Sequence, residues 1–146
     1  MGRRNQGKNQ PPTWESLDKE VQNKFLEDSS IVHWYINGMV EDHSFYSKSE
    51  IDNLIIKAKN RENNYYGITD SYLYEALDKY PIKGKEIAIL GSVEPWYESV
   101  ALAYEGIPTT IEYNKIQTDD NRLNIITVSE FNKNPKKFPY ACSISS

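Results

Sequence analysis

The chain has few of the residues and segments that define several large classes of protein. Its single cysteine, Cys142, excludes an internal disulfide, so nothing in the sequence indicates an oxidising compartment. It has no apolar run of about 18 residues and no apolar N-terminal segment, so we expect neither a membrane span nor a signal peptide. Acidic residues outnumber basic ones by 21 to 17, which gives no general attraction for nucleic acid or an anionic membrane. We therefore expect an intracellular, cytoplasmic protein with no nucleic-acid or membrane partner.

Metal ligands and nucleophiles are also sparse. The only two histidines, His33 and His43, have none of the spacings that are typical of metal sites. We expect Cys142 to be a small core residue, and no G-x-S-x-G elbow indicates a hydrolase. The sequence therefore predicts no metal site and leaves the catalytic residues unknown.

The first half of the chain has helical patterns. Residues 1–12 are polar and aperiodic, so we expect a disordered tail. Apolar residues then recur at helical spacing, and capping residues such as Ser47 precede them. The sequence predicts helices over residues 13–28, from Ser47 to about Arg61, and from Thr69 or Asp70 to Pro81. Residues 13–80 are thus expected to form a helical N-terminal region, in which residues 31–38 fit either a strand or a buried helical turn.

The stretch from Ile87 to Glu112 has the pattern of strand, tight turn, helix and strand. Four apolar residues, 87–90, form the short continuous run of a strand that is buried on both faces. Gly91 permits a sharp turn and close approach of a ligand, Pro95 suits the first position of a helix, and Gly106 suits its end. Residues 107–113 then form a second strand, in which Glu112 stands near the position where such folds bind ribose hydroxyls.

Two further strands are predicted after this unit. Residues 123–128 form the third and residues 140–144 the fourth, while residues 114–122 are expected to be a loop. The predicted fold class is α/β: an incomplete Rossmann-like parallel sheet of about four strands over residues 81–146, in the order 3-2-1-4, with N-terminal helices. The open fourth strand would be an exposed edge for a protein partner or for self-association.

The turn after the first strand indicates the charge of its ligand. It contains one glycine, and Pro95 removes a backbone donor that a pyrophosphate would need. Glu94 places a carboxylate at the positive end of the helix, and Glu98 adds another one turn later. A dinucleotide is therefore disfavoured, and a positively charged ligand such as S-adenosylmethionine fits better. The alternative is that Glu94 only caps the helix and Glu98 is solvated.

Four segments of the sequence resemble the domain of unknown function 268, an uncharacterised family expanded in nematodes. The matching segments are residues 63–70, 80–104 with the core Gly-Ser-Val-Glu-Pro-Trp, 109–114 and 143–146. The resemblance implies the fold of class I S-adenosylmethionine-dependent methyltransferases. Gly91 matches the first glycine of the methyltransferase turn and Glu112 the acid that closes the second strand, whereas Val93 and Pro95 replace the later glycines and Ile89 the usual acid.

Two functional hypotheses follow. The first is a methyltransferase-like protein that binds S-adenosylmethionine; its predicted cofactor-binding residues are Gly91, Ser92, Glu94, Glu112 and Tyr113. The second is a non-catalytic, truncated remnant or protein-interaction module, because the resembling family continues beyond the point where this chain stops. Tyr65 and Tyr66, in the loop before Thr69, could cover a ligand or simply anchor the loop.

Overall fold

The computed structural model describes residues 13–26 and 45–144. The chain divides into two units between residues 40 and 41, and each is described by itself. In the first unit, a 3-10 turn, Trp14–Ser16, precedes helix α1, Lys19–Leu26. The prediction of one helix from Thr13 is therefore wrong: Leu17 has extended backbone angles, and Asp18 accepts a hydrogen bond from the Glu20 N–H at 2.9 Å. The predictions for residues 1–12 and 31–38, His33 and His43 lie outside the described residues.

The second unit is an α/β fold. Its elements are β1 (Phe45–Tyr46), α2 (Lys48–Lys59), α3 (Ile68–Lys79), β2 (Glu86–Leu90), α4 (Trp96–Ala103), β3 (Ile107–Glu112), β4 (Gln117–Thr118), β5 (Asn124–Thr127), α5 (Val128–Lys133) and β6 (Tyr140–Cys142). Four strands form a parallel sheet in the order β5-β3-β2-β6. This is the predicted order 3-2-1-4, and it confirms the α/β class.

Strand β2 is central, as its apolar sequence predicts. Ile87, Ala88 and Ile89 are all buried, although successive side chains point to opposite faces of a sheet. Residues of α3 and α4 and the β6 residue Cys142 join β2 in one apolar cluster. The strand therefore lies between two covered faces and between two paired neighbours.

Helix α4 ends in a Schellman motif in which the left-handed residue is Glu105 rather than glycine. Glu105 has φ +59°, and the N–H of Gly106 donates to the carbonyl of Ala101 at 2.8 Å. Gly106 is instead needed for space, because a Cβ there would lie 2.7 Å from Cδ1 of Ile82. The predicted helix end is confirmed, but Glu105 rather than Gly106 supplies the left-handed residue that ends the helix.

A second, two-stranded sheet was not predicted. Strands β1 and β4 pair in parallel, with Phe45 opposite Gln117 and Tyr46 opposite Thr118. β4 lies in the segment that we expected to be a loop, and β1 lies in the region that we expected to be helical. The Thr118 hydroxyl donates to the carbonyl of Tyr46 at 2.7 Å, so side-chain contacts hold strands too short to show a periodic pattern. This ribbon packs Tyr46 against a second apolar cluster of Ile51, Ile116 and Leu123.

Candidate functional site

The turn after β2 brings the predicted ligand residues to the carboxyl ends of β2 and β3. Gly91 has φ +76°, a conformation that favours glycine, and its N–H donates to the carbonyl of Ile111 at 3.1 Å. The next N–H, of Ser92, donates to Oε2 of Glu112 at 2.7 Å. Gly91 and Glu112 therefore border one site, at the edge where open parallel sheets bind ligands.

Glu112 is held by two backbone donors. Its Oε2 accepts from Ser92, and its Oε1 accepts from the N–H of Tyr113 at 2.7 Å. An ionised carboxylate has about four acceptor positions, so two hydrogen bonds leave capacity for the hydroxyls of a ligand. The carboxylate is thus fixed in orientation and still able to accept.

The Ser92 side chain connects the turn to the β1–β4 ribbon. Its hydroxyl is 2.8 Å from the hydroxyl of Tyr46 and donates to the carbonyl of Glu94 at 3.1 Å. Tyr46 is fully buried, and burial is the main cause that raises the pKa of its phenol. The tyrosine therefore stays neutral and supplies one hydrogen-bonding hydroxyl beneath the turn.

Glu94 does not cap α4, because no side chain caps that helix. Its Oε1 instead accepts a hydrogen bond from the side-chain amide of Asn64. The N–H of Asn64 donates to Asp70 at 2.6 Å, and the Tyr97 hydroxyl donates to the same carboxylate at 3.2 Å. The loop between α2 and α3 is thereby fastened beside the start of α4.

This loop carries the two adjacent tyrosines. Tyr65 and Tyr66 make an edge-to-face contact with ring centroids 4.9 Å apart, and Tyr65 is 84% exposed. The expectation that these rings anchor the loop on the core does not hold for Tyr65. The hydrogen bond of Asn64 to Glu94 holds the loop instead, and Tyr65 is exposed to solvent.

Glu98 is completely buried, so the expectation of a solvated side chain is wrong. The Thr110 hydroxyl donates to its Oε1 at 2.7 Å, while Oε2 has no hydrogen-bond partner among the described residues. Burial raises the pKa of Glu98 above its ordinary value, and the hydroxyls of Thr110 and Ser92 partly oppose the rise. Glu98 therefore lies beneath the turn rather than on its ligand side.

A groove of about 600 Å³ lies beside the predicted ligand residues. It is lined by Tyr113, Val128, Ser129, Asn132 and Lys133. Its volume is within the range of about 300–1,000 Å³ that small-molecule sites have. Tyr113 is 82% exposed and follows Glu112 in the chain, so the groove adjoins β3 at the end that carries Glu112.

The structure thus brings Gly91, Ser92, Glu94 and Glu112 to one edge of the sheet, with Tyr113 on the adjoining groove. Sequence reasoning missed their supporting residues; these are Tyr46, Asn64, Asp70 and Thr110. Tyr46, Asn64 and Asp70 lie on other elements, and no local spacing distinguishes them. Only the position of Thr110, buried in a strand ending beside the turn, could have been anticipated.

Other kinds of site find no support in the described part of the chain. Residues 13–26 and 45–144 contain no group of three His, Cys, Asp or Glu side chains that could hold a metal ion. Cys142 is buried, which raises the pKa of its thiol to about 11, so it is not an activated nucleophile. Within the same residues, no helix is long and apolar enough to cross a membrane.

No protein-family model matches the sequence, and comparisons with curated proteins and with solved structures also give no match.

Proposed function

We propose that the carboxyl edge of β2 and β3 binds a small nucleoside-type ligand carrying positive charge, and that S-adenosylmethionine is the candidate that fits it best. The observation that carries the proposal is the fixed carboxylate of Glu112, which is hydrogen-bonded to the Gly91–Ser92 turn and retains acceptor capacity. Paired ribose hydroxyls are the ligand groups that such a carboxylate binds.

The charge at the turn supports a cationic ligand. Glu94 and Glu112 both lie at the site, and neither forms an ion pair with a residue of the described segments. A pyrophosphate placed at the turn would meet Glu94, whereas the ammonium and sulfonium of S-adenosylmethionine would be attracted to it. The electrostatics therefore favour this cofactor over a dinucleotide.

The adjoining groove supports a ligand with a planar ring. Tyr113 offers an exposed aromatic face, and Asn132 and Ser129 offer hydrogen-bonding groups to the edge of a heterocycle. A ring in the groove and a ribose at Glu112 would be neighbours, because Tyr113 follows Glu112 in the chain. The groove and the carboxylate together suit a nucleoside.

The sequence departures from the methyltransferase turn do not prevent this fit. Gly91 retains the positive φ on which the turn depends, and the side chain of Val93 is 60% exposed. The bound cofactor would supply an electrophilic methyl group. Gly91, Ser92, Glu94, Glu112 and Tyr113 would hold and orient it, and orientation is the main requirement of a direct displacement.

Isothermal titration of the folded chain tests the proposal. S-adenosylmethionine should bind more tightly than S-adenosylhomocysteine, which lacks the sulfonium charge, and adenosine and NAD should bind more weakly than either. Absence of heat with both sulfur ligands at millimolar concentration would overturn the proposal, and so would NAD binding as tightly as S-adenosylmethionine.

A pair of matched variants locates the binding site. Glu112→Gln should weaken binding by about tenfold or more, because it removes the charge and one acceptor oxygen. Glu86→Gln makes the same change at the opposite end of β2 and should leave the affinity within about twofold. Equal effects of the two substitutions would place the ligand elsewhere, and circular dichroism of both variants would exclude a general loss of structure.

The alternative function, a non-catalytic interaction module, rests on the sheet edge. β6 pairs with β2 on one side, and no strand of the described residues covers its other side. An unpaired strand edge can bind a strand from another chain. Sedimentation of the chain over a wide concentration range tests this alternative, and a monomer at every concentration would remove self-association at β6.

A further inference from the structure

We propose that Tyr65 and Tyr66, beside the carboxylate of Glu94, bind the methylated ammonium group of a lysine side chain from a partner protein. The inference goes beyond the proposed function, because neither ring is among the residues assigned to the cofactor. It begins from the two rings themselves, whose planes are at 89° and whose centroids are 4.9 Å apart. Tyr65 is 84% exposed and Tyr66 38%, so both rings are accessible to a ligand.

The turn that carries the rings is fixed by hydrogen bonds. The N–H of Gly67 donates to the carbonyl of Asn64 at 3.0 Å, so Tyr65 and Tyr66 are the two central residues of a β-turn. The side-chain amide of Asn64 donates to Oε1 of Glu94 and holds the first residue of this turn beside the start of α4. The backbone that presents the rings is therefore ordered before a ligand arrives, which lowers the entropic cost of binding.

The described residues supply a cation to three other aromatic rings but none to this pair. The three contacts, measured to the ring centroid, are Arg61 over Tyr74 at 5.5 Å, Lys79 over Tyr80 at 5.4 Å and Lys136 over Phe138 at 4.9 Å. No lysine or arginine of residues 13–26 and 45–144 lies over Tyr65 or Tyr66. A cation for these two rings would therefore come from another molecule.

The charge beside the rings favours a cation over an anion. Glu94 is exposed and forms no ion pair within the described segments. Its partner Asn64 is neutral and occupies Oε1, so the negative charge is not compensated. A positive group at the rings would be attracted to this carboxylate, whereas a phosphate or a carboxylate would be repelled.

The aromatic pair also indicates which kind of cation fits. The bare ammonium of lysine is strongly hydrated, and ring faces offer no oxygen that could replace its water. Methylation removes N–H groups while the positive charge remains, so a methylated ammonium loses less on leaving water. Aromatic faces are the surfaces that recognise such groups.

The surroundings of the pair suit a side chain better than a free small cation. The exposed residues Ile68 and Tyr72 follow on α3, one helical turn apart, and offer apolar surface for the methylene chain of a lysine. Tyr65 and Tyr66 form only two walls, so a free small cation would gain few contacts. A partner protein gains further contacts around its lysine.

NMR titration of the folded chain with short glycine-flanked peptides tests the proposal. A trimethyllysine peptide should shift the ring signals of Tyr65 and Tyr66 and bind at least about fivefold more tightly than the unmodified lysine peptide. The same preference is expected over the neutral analogue, in which carbon replaces the quaternary nitrogen. Equal binding of the neutral analogue, or unchanged ring signals at millimolar peptide, would overturn the proposal.

Choline distinguishes the two sources of a trimethylammonium group. It carries the same cation without the lysine chain, so it should bind at least about fivefold more weakly than the trimethyllysine peptide. Choline binding as tightly as the peptide would overturn the assignment to a protein side chain.

Matched variants locate the site. Tyr65→Ala should weaken peptide binding by about fivefold or more, whereas Tyr65→Phe keeps the ring and should stay within about twofold. Glu94→Gln should weaken it by about threefold, because the charge is lost and the shape is kept. Tyr113→Ala removes a ring that is equally exposed, at 82%, but lies on the groove, and it should have no effect. Equal losses in Tyr65→Ala and Tyr113→Ala would overturn the assignment.

These titrations require no cofactor, so their outcome is separate from that of the proposed function. Binding of trimethyllysine without binding of S-adenosylmethionine would support this inference and overturn the proposed function. Binding of S-adenosylmethionine without any preference for trimethyllysine would overturn this inference alone.

Discussion

Two regions of the second unit are stabilised in different ways. The central unit, β2, α4 and β3, is built from strands of five and six residues whose ladder and apolar faces follow from local sequence. The peripheral ribbon, β1, β4 and residues 119–122, has two strands of two residues each. In the ribbon, Asp120 is buried and binds Arg122 through both carboxylate oxygens, and Arg122 also pairs with Asp52 of α2.

The difference shows where hydrogen bonds between side chains and the backbone must replace a sheet ladder. Asp119 accepts from the N–H of Lys48 at 2.6 Å, and so satisfies one of the free donors at the start of α2. Thr118 both donates to the carbonyl of Tyr46 and accepts from the N–H of Asp120. Removal of single polar groups should therefore damage the ribbon, whereas the central unit should be sensitive to volume.

The largest effect is expected at Asp120. Asp120→Ala removes the buried partner of Arg122 and should lower the free energy of unfolding by about 2–3 kcal/mol. The expected loss is smaller than for a fully buried ion pair, because Arg122 is partly exposed. Urea denaturation measures the loss. Asp52→Ala removes an exposed partner of the same arginine and should cost about 1 kcal/mol or less.

The same contact predicts a pH dependence. Arg122 holds the pKa of Asp120 below its ordinary value of 3.8. The contribution of this pair is therefore complete above that value and is lost as the pH falls from 3.8 through the lower pKa of the folded state. The free energy of unfolding of Asp120→Ala should therefore fall less steeply with decreasing pH than that of the native protein. An unchanged pH profile would show that the pair contributes little.

The central unit should be most sensitive at Gly106. Gly106→Ala places a Cβ against Ile82 and should cost about 2 kcal/mol, because a packed core does not accept an extra methyl group. Ile82→Val removes the methyl that the new Cβ would meet. In that background Gly106→Ala should cost distinctly less, and simple additivity of the two changes would refute the steric explanation.

The smallest effect tests the link between the two regions. Tyr46→Phe removes the hydroxyl that contacts Ser92 and should cost about 1 kcal/mol. Tyr72→Phe is the control on an exposed face of α3 and should change stability by less than about 0.5 kcal/mol. A double-mutant cycle with Ser92→Ala should show coupling, and zero coupling would mean that the ribbon and the turn are energetically independent.

Much of the central unit could be predicted because its signals are local. The apolar run at β2, Gly91 and the spacing to Glu112 are sufficient to predict two adjacent parallel strands with their carboxyl ends together. Gly91 and Glu112 border one site for that reason. The binding of S-adenosylmethionine and the resemblance to the domain of unknown function 268 remain predictions.

The rest depends on contacts between distant parts of the sequence. Nothing near Glu98 in the sequence distinguishes a buried acid from a solvated one; only the fold brings it to Thr110 of β3, whose hydroxyl donates to it. Asn64 likewise resembles any polar loop residue until the fold brings it to Glu94. The helical periodicity also gave a wrong prediction at Leu17. The side chain of Asp18 accepts a hydrogen bond from the backbone at the start of α1, and the predicted helix is therefore divided there.

The ribbon has a consequence for the order in which the chain can assemble. Thr118 and Tyr46 are 72 positions apart, whereas Ser92 and Glu112 are separated by only 20. Closing the longer loop costs about 1 kcal/mol more in chain entropy, and a pair of two-residue strands recovers little of it before its surroundings exist. Nucleation should therefore begin in the β2–β3 segment. Pulse-labelled hydrogen exchange tests this order, and protection of Thr118 before Thr110 would contradict it.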